Sequence, residues 1–271
     1  MNEMQAKLVD MLEWFHGKCE KEGLRYYIIA GTMLGAVRHG GFIPWDDDID
    51  VGMPRADYEK LREIVKKEQD ERYFVEYPGL DNKEYTFLTA KIFDTTTTLI
   101  EKKRKPIKRG IYIDIFPLDG IGDTIEESVE NYKSFSFHFK LQLVITVAFL
   151  KRRSLKKNMA TLVGRIISPL FVRDYKHLKK LDDICKRIDF DKAKIVSNLM
   201  GGSGVKGMVP VEYFGKPTPV KFEHITVYGL ENPDAYLSAM YGDYMKLPPV
   251  EKQVSLHDAI ECDLNKSYLK D

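Results

Sequence analysis

Two aspartates two residues apart, Asp48 and Asp50, alternate with Ile49 and Val51 in the run WDDDIDVGM. On a strand, residues two apart share a face, so the spacing predicts both carboxylates on one side and the aliphatic chains in the core. Carboxylates about 6–7 Å apart on one strand face repel each other unless a cation lies between them. A hard divalent ion with oxygen ligands resolves the conflict, and magnesium (or manganese) held this way also takes substrate phosphates. Asp114 extends the pattern: in IYIDIF it is the single acid of an apolar strand-like run. An ionised carboxylate there is costly unless it is paired or ligating. A third metal ligand on a neighbouring strand is the expectation. The plainer alternatives are a solvated acidic turn and, for Asp114, an edge-strand acid or an arginine partner.

Gly31 and Thr32 stand upstream of the acids, at the end of a β-like run. A glycine lets a phosphate approach the backbone, the N–H groups at a helix start face an anion, and the threonine hydroxyl adds a donor. Arg38 and His39 are the nearest cationic and titratable groups in the chain, each equally readable as a surface residue. Lys91 lies in a strand-like run and could hold a phosphate as a point charge, or lie at a solvent edge. GGSGVKG (201–207) lacks the spacing of a phosphate loop and reads as a flexible turn or lid. His257 reads as a surface histidine.

The elements that must position these groups follow from periodicity. Apolar residues at helical spacing predict a helix over 2–22, stopped by Gly23. A β-branched and aromatic run over 25–30, a short helix over 33–38, a strand over 48–53 and a helix reaching 69 come next. Strand-like runs cover 73–77, 87–93 and 111–116. Beyond 123 the pattern turns mainly helical, over 124–150, 155–168 and 174–188. A strand-rich patch at 220–228 and a helix at 233–241 complete the chain. This is an α/β (α+β) reading, a mixed sheet core with a mainly helical C-terminal half, divided at 1–120 and 121–271.

The block GTMLGAVRHGGFIPWDDDIDVGMPRADYEKL closely resembles the signature of the LicD family, phosphocholine transferases of the nucleotidyltransferase-fold superfamily, whose wider group holds fukutin and fukutin-related protein. The resemblance continues in KIFDTTTTLI (91–100), IYIDIFPLDG (111–120), Phe222-Glu223 and YGDYMKLPP (241–249). It implies a nucleotidyltransferase-like core over 1–120, with Asp48 and Asp50 as the strand-borne metal pair and Asp114 as the third carboxylate. It places Gly31-Thr32 where the superfamily has Gly-Ser at the phosphate-facing turn. Thr replaces Ser here, and fifteen residues separate Thr32 from Asp48.

The implied activity is magnesium-dependent transfer of a phospho-alcohol headgroup, phosphocholine from CDP-choline, to a sugar of a surface glycan or its lipid-linked precursor. Lipopolysaccharide and teichoic acid are the glycans in view. Asp48, Asp50 and Asp114 would be catalytic, with Gly31, Thr32, Arg38, His39 and Lys91 on the donor. Trp45, Tyr26, Tyr27, Tyr112 and Tyr241 are equally eligible to cap a choline ammonium through cation–π attraction. The rivals are a nucleotidyltransferase releasing pyrophosphate, a glycosyltransferase with a DxD metal motif, and a non-catalytic nucleotide-binding module.

Composition bounds the partners. The 271 residues are 44% apolar and 31% charged, ordinary for a folded domain. With 42 Lys and Arg against 41 Asp and Glu, no basic excess points to nucleic acid. Cys19, Cys185 and Cys262 are scattered and odd in number, which suits a reducing cytoplasm. The N-terminus lacks the apolar stretch of a signal peptide. The run Leu141–Leu150 covers roughly 15 Å as a helix, half of a bilayer core, so no transmembrane helix is expected. The apolar stretch 135–150, followed by the basic cluster 151–157, fits either a helix resting on the anionic inner face of the membrane or one packed on the α/β core.

Overall fold

A computed structural model of the chain describes residues 1–78, 88–102, 106–146, 155–167, 174–254 and 259–270. Helix α1 (Glu3–Glu22) opens on a capping box: Asn2 accepts from the Gln5 backbone, and the Gln5 side chain accepts from Asn2. It ends on Gly23 in the left-handed region, φ 63°, a conformation that favours glycine. Its buried face, including Leu8, Met11, Leu12 and Phe15, reproduces the periodicity of the sequence.

The following elements are β1 (Tyr27–Ile28), α2 (Ala30–His39), β2 (Asp50–Pro54), α3 (Arg55–Lys67), β3 (Tyr73–Glu76) and β4 (Ala90–Asp94). Then come β5 (Thr98–Glu101), β6 (Ile107–Arg109), β7 (Tyr112–Gly122), α4 (Ile125–Thr146), α5 (Leu155–Ile167) and α6 (Asp174–Cys185). The chain continues through β8 (Ile195–Ser197), β9 (Met208–Pro210), β10 (Thr218–Phe222), β11 (Ile225–Gly229), α7 (Pro233–Tyr241) and β12 (Ala259–Asp263). The fold is the mixed α/β arrangement expected.

The main sheet runs β1-β2-β7-β4-β3, and β8 joins the far end of β7 with β9 beside it. Strands β2 and β7 are parallel; the other pairs are antiparallel. The eleven-residue β7 is therefore the spine of the molecule. Two smaller sheets, β10-β11 and β12-β5-β6, flank it. One core cluster joins α1, α3 and the sheet to Phe190, Val209, Phe222 and Leu237 of the C-terminal half. A second gathers Ile121, Phe135, Phe139, Leu181 and Ile184, where α4 and α6 meet the end of β7. Phe135 and Phe139 thus settle the start of the 135–150 stretch as core packing.

Several boundaries differ from the sequence reading, and two bear on the site. Helix α2 begins at Ala30, so Gly31 and Thr32 lie in its first turn and not in a turn ahead of it. Strand β2 begins at Asp50, so Asp48 lies in the preceding irregular segment and the two do not share a strand face. In addition, β7 extends six residues past the predicted run, and the glycine-rich segment forms two short 3₁₀ turns, Leu199–Gly201 and Gly204–Gly207. His257 and positions 147–150 of the predicted helix lie outside the described residues. All three cysteines are free thiols, and no helix among the described residues is long and apolar enough to cross a membrane.

Candidate active site

Register assembles the site. Asp50 on β2 is paired with Asp114 on β7, and Asp114 is paired with Lys91 on β4. Paired positions project to one face, so Lys91, Asp114 and Asp50 form a charged row across three adjacent strands. Lys91 is 4% exposed on an interior strand, which excludes the solvent-edge reading. Its Nζ lies 2.7 Å from Asp114 Oδ1 and 3.5 Å from the centre of the Tyr112 ring. Thr89 Oγ1 donates to the same Asp114 oxygen at 2.9 Å. Tyr112, two residues before Asp114 on the same face, donates its hydroxyl to Glu101 at 2.9 Å.

Burial raises the Asp50 carboxyl well above the ordinary range, and the charges of Asp48 and Asp114 push it further, with Lys91 opposing. Beside this row runs the acidic segment. Asp46, Asp47 and Asp48, each half-buried, offer one oxygen apiece within 4.8 Å of one another. The Asp46 carbonyl accepts from Gln5 Nε2 of α1 at 2.9 Å, which pins the segment to the first helix. Trp45 packs against the main core.

The first turn of α2 faces these acids. A Cβ on Gly31 would lie 3.1 Å from Asp46 Oδ2, so only glycine lets the carboxylate come this close without displacement. Thr32 Oγ1 accepts the Asp50 N–H at 2.8 Å, joining the helix start to the first residue of β2. First-turn N–H groups have no partner within the helix and carry the positive end of its dipole, which favours negative charge nearby. Ala30 enters the helix at φ 49°, and its N–H donates to the Tyr236 hydroxyl of α7 at 3.3 Å. Burial and the Asp50 charge push that hydroxyl up to about 12, against the hydrogen bond from Ala30. Tyr241, at the end of α7, is raised by burial of its hydroxyl, by Tyr236 and by Asp50, Asp46 and Asp48, and the residue as a whole is 44% exposed.

The structure thus brings together Asp48, Asp50, Asp114, Gly31, Thr32 and Lys91. It does not bring Arg38 and His39 to them: these occupy the last turn of α2, about 10 Å along the helix from Gly31. Arg38 donates to the Tyr244 carbonyl at 2.8 Å and to His39 Nε2 at 2.9 Å, tying the helix to the 241–249 segment. Burial and the Arg38 charge lower the His39 pKa.

Of the aromatic residues, Tyr26 and Tyr27 are fully buried and hydrogen-bonded within the fold. Tyr112 already carries Lys91 on its ring, and Tyr241 is the more exposed residue of the two. Sequence reasoning missed Asp46 and Asp47 as part of the oxygen cluster, because strand alternation singled out 48 and 50. It missed Thr89 and Tyr236 altogether, since nothing local marks either one.

The arrangement sets a cluster of carboxylate oxygens that could hold a divalent cation beside a buried lysine and a helix start. Residues 23–154 match the nucleotidyltransferase domain of LicD/FKTN/FKRP. The chain is 32% identical over 261 residues to the lipopolysaccharide cholinephosphotransferase LicD of Haemophilus influenzae, covering 95% of this chain and 96% of that one. A stretch of 63 residues is 41% identical to the ribitol 5-phosphate transferase FKRP of Homo sapiens, covering 22% of this chain and 13% of the relative. Mannosyltransferase regulator 4 of Saccharomyces cerevisiae is 26% identical over 138 residues, 49% of this chain and 11% of its own. With similarity to a LicD enzyme running along nearly its whole length, and a carboxylate-lined site set in the matched domain, this chain belongs to the LicD family of phosphotransferases.

Proposed function

We propose that the protein transfers phosphocholine from CDP-choline to a sugar hydroxyl of a surface glycan or its lipid-linked precursor and releases CMP. The observation that carries this reading is the row Lys91–Asp114–Asp50 beside the Asp46–Asp48 cluster, in a chain similar from end to end to a cholinephosphotransferase. The donors are all carboxylate oxygens, which fits magnesium or manganese better than a softer metal. Asp48, which shares its oxygen cluster with Asp46 and Asp47, would hold the ion with Asp50, and Asp114 would complete the set. When bound, the ion neutralises phosphate charge and orients the phosphate oxygens.

The remaining work falls to side chains and backbone. The first-turn N–H groups of Gly31 and Thr32 receive the donor diphosphate, and Lys91 offers a point charge to it. The acceptor hydroxyl forms its bond to the headgroup phosphorus as the bond to the CMP oxygen breaks, in line. Asp114, oriented by Thr89 and Lys91, accepts the hydroxyl proton. Tyr241 presents its ring to the choline ammonium. In this reading residues 1–120 are the catalytic core, and 121–271 complete the site through Tyr236 and Tyr241. The proposed location is the cytoplasm, at the inner face of the membrane.

Product analysis tests the reading. Labelled CDP-choline, divalent cation and a panel of acceptor sugars are expected to yield CMP and a phosphocholine-bearing glycan. Pyrophosphate released from CTP would indicate a nucleotidyltransferase, and transfer of a sugar from a sugar nucleotide would indicate a glycosyltransferase. Either result would replace the proposal.

A further inference from the structure

Helix α5 is thirteen residues long and packs on α4. Thr161 is buried, and a Cβ on Gly164 would lie 2.8 Å from the Val144 side chain of α4. On the opposite side Met159, Leu162, Val163 and Ile166 are 55%, 46%, 50% and 72% exposed. Their spacing of three, four and seven residues makes one continuous apolar stripe. A stripe of this kind on a protein surface marks a contact with another apolar phase.

The composition of the sequence on either side of it identifies the phase. From 134 to 173 the chain has no Asp or Glu and eight Lys and Arg, whereas the whole chain balances 42 against 41. We propose that α5 docks the protein on an anionic bilayer, with the stripe in the headgroup–acyl boundary and the basic residues on the lipid phosphates. A second copy of the chain is a poorer occupant, because a symmetric contact would set a segment with cations and no acids against itself. A thirteen-residue helix spans about 20 Å, too short to cross, so it lies along the surface. The contact first read from the sequence over 135–157 therefore moves to the stripe of α5, since Phe135 and Phe139 are spent on the core. The surface would bring the enzyme to a lipid-linked acceptor. In that respect alone it rests on the proposed function, because binding is measured without donor or acceptor.

The experiment is co-sedimentation of the full chain with vesicles of phosphatidylcholine alone or mixed with phosphatidylglycerol, at low and high salt. Two variants accompany it: Leu162→Gln with Ile166→Gln, and Lys151→Gln with Arg152→Gln and Arg153→Gln. Circular dichroism melts verify the fold, and light scattering reports the oligomeric state. Binding is expected to require phosphatidylglycerol, to weaken with salt and to fall about tenfold or more in each variant. Absence of binding to either vesicle would overturn the proposal. So would binding indifferent to the Leu162 and Ile166 changes, or a dimer that those changes dissolve. A transferase activity that persists on soluble acceptors in these cases would leave the proposed function standing.

Discussion

Asp50 and Asp114, sixty-four positions apart in the chain, are direct register partners on the parallel strands β2 and β7. Adjacent strands lie about 4.8 Å apart, so two carboxylates at paired positions on one face repel strongly unless something positive intervenes. Lys91, the next member of the row, supplies part of that charge from β4. The site is thus built with more negative charge than its own lysine can offset, as expected of a cation site.

Asp50→Asn is expected to abolish turnover while raising the melting temperature at neutral pH without added cation. The native state holds the Asp50 proton more tightly than the unfolded chain. Its contribution to stability is therefore complete below the unfolded pKa, about 4, and is lost as pH rises through the raised native value. Asn cannot ionise and escapes this loss. The gap between the two melting temperatures should close near the unfolded pKa and widen as pH rises, and magnesium should stabilise the wild type alone. Full activity in the variant would remove Asp50 from the site.

Lys91→Gln breaks an interior ion pair and leaves Asp114 beside Asp50 with less compensation. A loss of about 3 kcal/mol is expected in urea denaturation, with the rate constant for turnover down about a hundredfold. Magnesium should recover part of the stability and little of the rate. An unchanged denaturation midpoint would show that the pair contributes nothing to the fold.

Arg55 and Asp119 form a separate, buried ion pair. Arg55 donates to both Asp119 oxygens at 2.7 Å, and Asp119 is fully buried. Five residues along β7 from Asp114, Asp119 projects to the other face of the sheet. Asp119→Ala leaves a guanidinium that retains Asp182 at 2.9 Å, so a cost of about 3 kcal/mol is expected. Turnover per folded molecule should be unaffected, which would separate this pair from the proposed catalytic row.

Tyr241→Phe keeps the ring, and Tyr241→Ala removes it. If the ring holds the choline ammonium, the first variant should retain kcat/KM for CDP-choline and the second should lose about tenfold. The loss should be absent with an uncharged headgroup such as CDP-glycerol. Equal losses on both donors would assign Tyr241 to packing.

Much of this protein was legible locally. The apolar spacing of α1 and α7, the lone acid of IYIDIF and the acid run after Trp45 are properties of short stretches, and short stretches declare their own periodicity. The family signature is local for the same reason. Tertiary structure alone decided the rest. It set Lys91 against Asp114, began β2 only at Asp50, and drew Gly31 and Thr32 into the start of α2. It also paired β12 with β5 and β8 with β7, short strands whose partners lie far away in the chain. The strand pairings among these depend on which strand lies beside which and in what register. Register is set by the burial of whole faces and not by any residue's immediate neighbours.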